Sequence, residues 1–212
     1  MEFSEFIKYL PKIEKENLLA EAAHLKMAPL ERIKALENVD FDIVKPRKAG
    51  VLMLFYPKDN QTHLALIKRN IYPGVHSSQV AFPGGKMEPA DKTLLDTALR
   101  ETYEEIGISS SQVEIIRPFS ELYIPPSNFL VSPFLGISRS ELVFEPQESE
   151  VAGIIEMPLE DFLDENTVVF KQMDTSYGKG ILVPAFKIAD DYIWGATAMM
   201  MSELKELLKK VI

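Results

Sequence analysis

Between Gly84 and Ile108 the chain passes from a glycine pair into a run that ends Arg100-Glu101-Thr102-Tyr103-Glu104-Glu105-Ile106-Gly107-Ile108. Laid on a helix at about 100° per residue, Leu95, Ala98, Leu99, Thr102 and Ile106 fall on one face and predict the buried stripe. Glu101, Glu104 and Glu105 share an arc of about 100° beside that stripe. Folding alone disfavours the arrangement. Glu101 and Glu105 are like charges one turn apart, which costs roughly 0.2–0.5 kcal/mol on a bare helix, and carboxylates near a helix C-terminus oppose its dipole. A hard divalent cation favours it, because Mg²⁺ is held by a few carboxylates together with the phosphates of its substrate.

Arg-Glu-x-x-Glu-Glu-x-Gly after a Gly-Gly turn resembles the Nudix box, the signature of hydrolases that cleave the pyrophosphate of nucleoside diphosphate derivatives with Mg²⁺ or Mn²⁺. The spacing from Gly85 to Arg100 is one residue longer than in the usual box. Asp91 stands at its sixth position in place of a glutamate, and Thr102 in place of an aliphatic residue. Upstream, Leu66-Ile67-Lys68-Arg69 and His76-Ser77-Ser78-Gln79-Val80-Ala81-Phe82-Pro83-Gly84-Gly85 are similar to a motif of the coenzyme A pyrophosphatase branch. In that motif an arginine stands at Gly74 and a glycine at Ser78. Glu150-Val151, Met157-Pro158-Leu159 and Trp194-Gly195-Ala196-Thr197-Ala198 look like further elements of that branch, so the resemblance spans about residues 48 to 212. It implies hydrolysis of coenzyme A or its thioesters to adenosine 3′,5′-bisphosphate and 4′-phosphopantetheine. ADP-ribose or a dinucleotide polyphosphate is the alternative substrate class. A non-catalytic sensor of the same fold is a third reading, but it is expected to have lost box carboxylates, and all three remain.

The chain has 212 residues, 46% hydrophobic and 26% charged, which are ordinary values for a globular protein with a sizeable core. It contains no cysteine, so disulfides, thiolate zinc sites and cysteine nucleophiles are excluded. The acidic opening Met1-Glu2-Phe3-Ser4-Glu5 is no secretory leader, and no apolar run approaches about 18 residues. The expectation is a cytoplasmic protein with no membrane association. A net charge of −9 argues against nucleic acid, which requires a basic footprint. A small anionic nucleotide approaching that field needs an intervening cation.

Residues 1–48 place Phe3, Phe6, Ile7 and Leu10 at helical spacing, with Pro11 and Pro29 dividing the region, and predict a helical N-terminal extension to a domain at 49–212. Ala49–Tyr56 reads as a buried strand that turns at Asp59-Asn60 into a second strand, His63–Lys68. Gln79–Phe82 is a short strand that Pro83-Gly84-Gly85 breaks. Residues 93–107 form the helix closed by Gly107. Strands follow at Val113–Ile116, Ser120–Ile124, Phe129–Ile137, Glu141–Phe144, Ile154–Met157, Val168–Met173 and Ile181–Ile188. Leu159–Leu163 is a short helix and Ala196–Lys210 an amphipathic closing helix. This mixture suits an α/β (α+β) architecture, and the Nudix resemblance makes it an α/β/α sandwich with a mixed sheet.

The candidate metal ligands are Glu101, Glu104 and Glu105, joined by the Gly85 carbonyl, since a glycine pair permits close backbone approach. Arg100 reads as a support whose fork holds Glu101 in its rotamer. Arg69, Lys68, His76 and Gly84 are candidate substrate contacts, and Glu150 is a reserve ligand or base, with Glu104 the other candidate base. Asp91 reads as a helix cap. His24 and His63 belong to no constellation, and Met199-Met200-Met201 and Trp194 read as core.

Overall fold

The computed structural model describes residues 1–36, 39–70 and 79–212. Its centre is β1 (Arg47–Lys58), whose uninterrupted apolar run is explained by what covers it. Side chains alternate between the two faces of a strand. Leu52, Leu54 and Tyr56 enter one hydrophobic cluster with Ala98 and Ile106, while Met53 and Phe55 enter another with Leu204 and Leu208. With both faces buried, alternation of polar and apolar residues is lost.

A two-residue turn at Asp59 and Asn60, both at positive φ (49° and 61°), joins β1 to β2 (Gln61–Arg69). Positive φ at both central positions is the geometry that matches the twist of a hairpin. The short strands β3 (Val80–Ala81) and β4 (Gly84–Lys86) follow, then the helix α6 (Leu94–Ile106), the sixth α-helix along the described chain. Beyond it lie β5 (Glu114–Pro118), β6 (Leu122–Ile124), β7 (Phe129–Ile137) and β8 (Val151–Pro158). These eight strands form one mixed sheet in the order β3-β2-β1-β7-β5, with β4 also on β1, β6 on β7 and β8 on β2. β1 and β7 run parallel from Arg47↔Phe129 to Phe55↔Ile137, and the other pairings are antiparallel. After α7 (Leu159–Leu163), the strands β9 (Val168–Thr175), β10 (Gly178–Ile188) and β11 (Asp191–Trp194) make a separate antiparallel meander that leads into α8 (Gly195–Val211).

α6 packs on one face of the large sheet. The other face is covered by α8 and by the short N-terminal helices α1 (Phe3–Phe6) and α2 (Leu10–Lys15); α3 (Glu21–His24) packs on α8, and α4 (Leu30–Leu36) and α5 (Phe41–Val44) follow before β1. Phe3, Phe6, Leu10 and Ile13 join the same cluster as Met53 and Phe55, and the Phe6 and Phe55 rings lie 4.9 Å apart. His24 is buried 3.3 Å from Glu203 of α8, a contact the sequence pattern does not predict. Glu203 also accepts hydrogen bonds from the Ala20 N–H at 2.8 Å and the Ser120 hydroxyl at 2.6 Å. Against the upward push of burial, His24 and Ser120 hold the Glu203 carboxyl below its ordinary value. Among the described residues, no helix is long and apolar enough to cross a membrane.

One local expectation fails for a physical reason, and a second holds only in part. Glu141–Phe144 is not a strand. The segment running on from it covers the end of α6, where the Glu145 and Gln147 N–H groups donate to the Ile106 and Glu105 carbonyls that a helix C-terminus leaves free. Gly84-Gly85 does not simply break a strand but starts β4, with Gly85 opposite Gly50 of β1. The side chain that glycine lacks makes the pairing possible: a Cβ on Gly84 would sit 2.4 Å from the Gly50 carbonyl oxygen.

Candidate active site

α6 begins where the sequence expects, and its start is capped twice over. Thr93 caps the N-terminus, and Asp96 returns a bond to the Thr93 N–H to complete a capping box. Gly107 at φ 76° ends it in the left-handed conformation. Asp91 is therefore not the cap. Its carboxylate receives Arg100 Nε and Nη2, each at 3.0 Å, as well as the Thr97 hydroxyl and the Glu88 N–H, each at 2.9 Å. The Arg100 guanidinium holds this carboxyl well below the usual carboxylate range.

Arg100 is the hub of the cluster. Nη1 lies 3.0 Å from Glu101 and 2.8 Å from Glu104, and Nη2 donates to the Lys86 carbonyl at 3.1 Å. The expected support of Glu101 is present, and the fork serves Asp91 and Glu104 as well. This concentration of acceptors raises the Arg100 pKa, the Asp91 bonds contributing most.

The three glutamates part company. The buried face of α6 is wider than the predicted stripe, comprising Thr97, Ala98, Thr102, Glu105 and Ile106, while Leu95 and Leu99 are only half-buried. Glu105 lies inside that face, 1% exposed, with one oxygen receiving the Gly84 N–H at 2.8 Å and the other Arg69 Nη1 at 3.0 Å. Burial pushes its carboxyl up to about 7, against the downward pull of the Gly84 N–H and Arg69, and the Glu101 and Glu150 charges add to the rise. Glu101 is also raised by burial, with Arg100 opposing. Its carboxylate lies against the bare Cα of Gly85, where a Cβ would come within 2.4 Å of the carboxyl carbon. Glu104 is exposed and drawn to Arg100.

As these side chains stand, no group of three His, Asp or Glu among the described residues is gathered closely enough to hold a metal. The donor chemistry nonetheless fits a hard cation. Glu101 and Glu105 supply carboxylate oxygens one turn apart, and the absent Gly85 side chain leaves backbone beside them. Burial and mutual repulsion keep both carboxyls above their ordinary range, a condition that a nearby positive charge relieves.

Glu101 and Gly85 border a cavity of about 390 Å³, a size suited to a small-molecule ligand. Arg69 and Gly84 are in its wall, and Val51, Phe82, Phe129 and Val131 make an apolar flank. Lys68 is not in the wall, and its ammonium is bound to Asp191 at 2.7 Å. Glu150 is exposed, tied through its carbonyl to the Asn70 N–H at 2.8 Å, and near enough for its charge to act on Glu101 and Glu105. His76, like Gly74 and Ser78, lies outside the described residues. Met199, Met200 and Met201 are buried as expected, whereas Trp194 and Met200 also line the cavity. Arg32, Ser127 and Tyr177 line it too, and sequence motifs give no sign of them.

The NUDIX domain family matches residues 46–174. A protein of Yersinia enterocolitica named uncharacterized Nudix hydrolase NudL is 34% identical over 143 residues, covering 68% of this chain and 72% of its own. A relative of the same name from Yersinia pestis is 33% identical over 162 residues, covering 76% and 79%. Among solved structures, the Nudix hydrolase RenU from M. smegmatis superposes with a TM-score of 0.54 at 14% identity, covering 79% of this chain and 88% of the other. A MutT/nudix family protein from Enterococcus faecalis does so with a TM-score of 0.52 at 15% identity, covering 96% and 74%. The fold is the mixed α+β Nudix fold, and the chain belongs to the Nudix family, hydrolases that act on the pyrophosphate bonds of small nucleoside diphosphate derivatives.

Proposed function

We propose that this chain is a Mg²⁺- or Mn²⁺-dependent pyrophosphohydrolase of coenzyme A or its thioesters, releasing adenosine 3′,5′-bisphosphate and 4′-phosphopantetheine. The carrying observation is the cavity that opens at Glu101 and Gly85. Its wall includes Gln79, Ala81, Phe82, Gly84 and Gly85 of the stretch that resembles the coenzyme A branch, and it combines Arg69 with a broad apolar flank. That combination suits a nucleotide joined to a second, less polar group.

Glu101, Glu105 and the Gly85 carbonyl are the proposed ligands, with Glu104 joining them after a rotamer change away from Arg100. These residues would hold a divalent ion, which when bound would supply positive charge at the pyrophosphate oxygens and lower the pKa of a water. Arg100 positions Glu101, and Asp91 in turn fixes Arg100. Arg69 meets a phosphate oxygen from the cavity wall, while the Gly84 N–H holds Glu105 in place. Of the two candidate bases, Glu104 is taken up as a ligand in this arrangement, whereas Glu150 is exposed and its charge acts on both buried carboxylates. We therefore assign the proton acceptor to Glu150.

The test is a substrate profile of the purified, chelator-treated protein after addition of Mg²⁺ or Mn²⁺, with products separated by chromatography. Coenzyme A is expected to give the highest kcat/KM, followed by 3′-dephospho-coenzyme A and then ADP-ribose. ADP-ribose turnover above both would sink the coenzyme A assignment.

A further inference from the structure

The cavity holds a group of polar atoms that pyrophosphate chemistry does not use. Arg32, on α4 of the N-terminal segment, is 3% exposed and reaches the cavity wall. Its Nη2 donates to the Tyr123 carbonyl at 2.6 Å, but Nε has no hydrogen-bond partner, and among the described residues no carboxylate pairs with the guanidinium. Burial lowers its pKa, so its charge is held at a cost. Ser127 Oγ, from the turn between β6 and β7, is a further buried atom in the same wall without a partner, and Tyr177 Oη, from the turn between β9 and β10, is buried with only the Arg32 guanidinium beside it. Burial pushes the Tyr177 phenol up, and the neighbouring Arg32 charge opposes it.

Native interiors satisfy nearly all their buried polar groups, and those left over call for an explanation. Three such atoms, brought from residues 32, 127 and 177 to one cavity, point to a ligand. A guanidinium and two hydroxyls can all donate, and none is acidic, so the complement is an anion with several oxygens. A phosphate monoester presents three terminal oxygens and enough charge to offset a buried guanidinium.

The position is distinct from the carboxylate cluster. Gly85 of β4 pairs with Gly50 of β1, the adjacent Ala49 pairs with Val131 of β7, and Val131 pairs with Leu122 of β6, the neighbour of Tyr123. Three strand spacings separate the two regions, about 14 Å. Apolar side chains of Ala49, Ile124 and Val131 line the cavity between them.

We propose that Arg32, Ser127 and Tyr177 form a second anion subsite, which grips a phosphate monoester carried by the substrate's nucleoside while the pyrophosphate lies at Glu101. This rests on the coenzyme A reading above, where the 3′-phosphate is that group, and makes the N-terminal segment a determinant of specificity.

Binding can be read without metal or turnover. Calorimetry in chelator compares adenosine 3′,5′-bisphosphate with adenosine 5′-monophosphate on the full chain and on Arg32→Gln, Ser127→Ala and Tyr177→Phe. The wild type is expected to prefer the bisphosphate at least 10-fold. The preference should fall below about 2-fold in Arg32→Gln, and to about one third of its wild-type value in each hydroxyl variant. Equal affinities in the wild type, or equal weakening of both ligands by Arg32→Gln, would overturn the subsite. Should Arg32→Gln lose its thermal transition, the two hydroxyl variants decide on the same ratio. The substrate profile fails independently. Preference for the bisphosphate with ADP-ribose as the best substrate would leave the subsite standing without the coenzyme A reading. Coenzyme A turnover with an unchanged ratio of KM for coenzyme A and its 3′-dephospho form in Arg32→Gln would do the reverse.

Discussion

Replacing Asp91 with asparagine tests the frame that supports the carboxylate cluster. The Asp91 side chain is 4% exposed and accepts two bonds from Arg100. Asp91→Asn turns one accepting oxygen into an amide nitrogen facing a guanidinium N–H. Removing one partner of a buried pair costs about 3–5 kcal/mol. Arg100 is 22% exposed and keeps Glu101, Glu104 and the Lys86 carbonyl, so the expected loss at pH 7 is smaller, about 2 kcal/mol, or roughly 4–8 °C in Tm for a chain of this size. The folded pKa of Asp91 is depressed, so its stabilisation is present above the unfolded-state pKa and fades as pH falls. In the unfolded chain the carboxyl takes up a proton near pH 3.9, which removes about 1.2 kcal/mol of the wild-type advantage between pH 5 and pH 3. Urea unfolding of both proteins at pH 7, 5 and 3 measures this directly. A difference below about 0.5 kcal/mol at pH 7, or one unchanged between pH 5 and pH 3, would refute the reasoning.

Glu101→Gln and Glu105→Gln should each reduce turnover by roughly two decades or more at saturating Mg²⁺, while the metal-free proteins melt no lower than wild type because each variant relieves a buried or repelled charge; near-normal activity in either would exclude it as a ligand. Gly85→Ala places a methyl 2.4 Å from the Glu101 carboxyl carbon, so steady-state kinetics should show kcat down about 10-fold or more as the ligand is displaced. Glu203→Ala strips the acceptor from His24, Ser120 and the Ala20 N–H, and is expected to cost about 2–3 kcal/mol in denaturant unfolding. It should also raise amide exchange in α1 to α4, and unchanged protection there would show that apolar packing alone retains the segment.

Local chemistry was legible from the sequence wherever a single element decides it. The end of α6 follows from Gly107 and the β1–β2 turn from Asp59-Asn60, whereas the cap proved to be Thr93 and not Asp91. The fate of the three glutamates was not, because a helical wheel orders positions around an axis but does not say how wide the buried arc is. That width is set by β4 and β2, which bring the Gly84 N–H and Arg69 onto Glu105 and so make a charged residue part of the packed face. Asp91 escaped for a similar reason. It lies nine positions before Arg100 in an irregular segment, a separation to which no helical or strand period points, and only the folded turn closes it. Arg32 has no motif at all. In the sequence it is one cation on a seven-residue helix, and burial against the Tyr123 carbonyl distinguishes it from its neighbours.

The box residues and much of the far wall of the cavity come from different parts of the chain. The family match covers residues 46–174, which includes Gly85, Arg100 and every box carboxylate. Arg32, Tyr177, Trp194 and Met200, which line the same cavity, all fall outside it. Arg32 and Met200 reach it from the N-terminal helices and α8, which are held together by Glu203 against His24, while Tyr177 and Trp194 come from the β9–β11 meander. The carboxylates proposed as ligands lie at a fixed spacing on one helix, so that feature is a contiguous motif. Recognition of the rest of a substrate requires only that some side chain arrive at the right place. Segments from either end of the chain can supply it, and they can change without disturbing the helix that carries the chemistry.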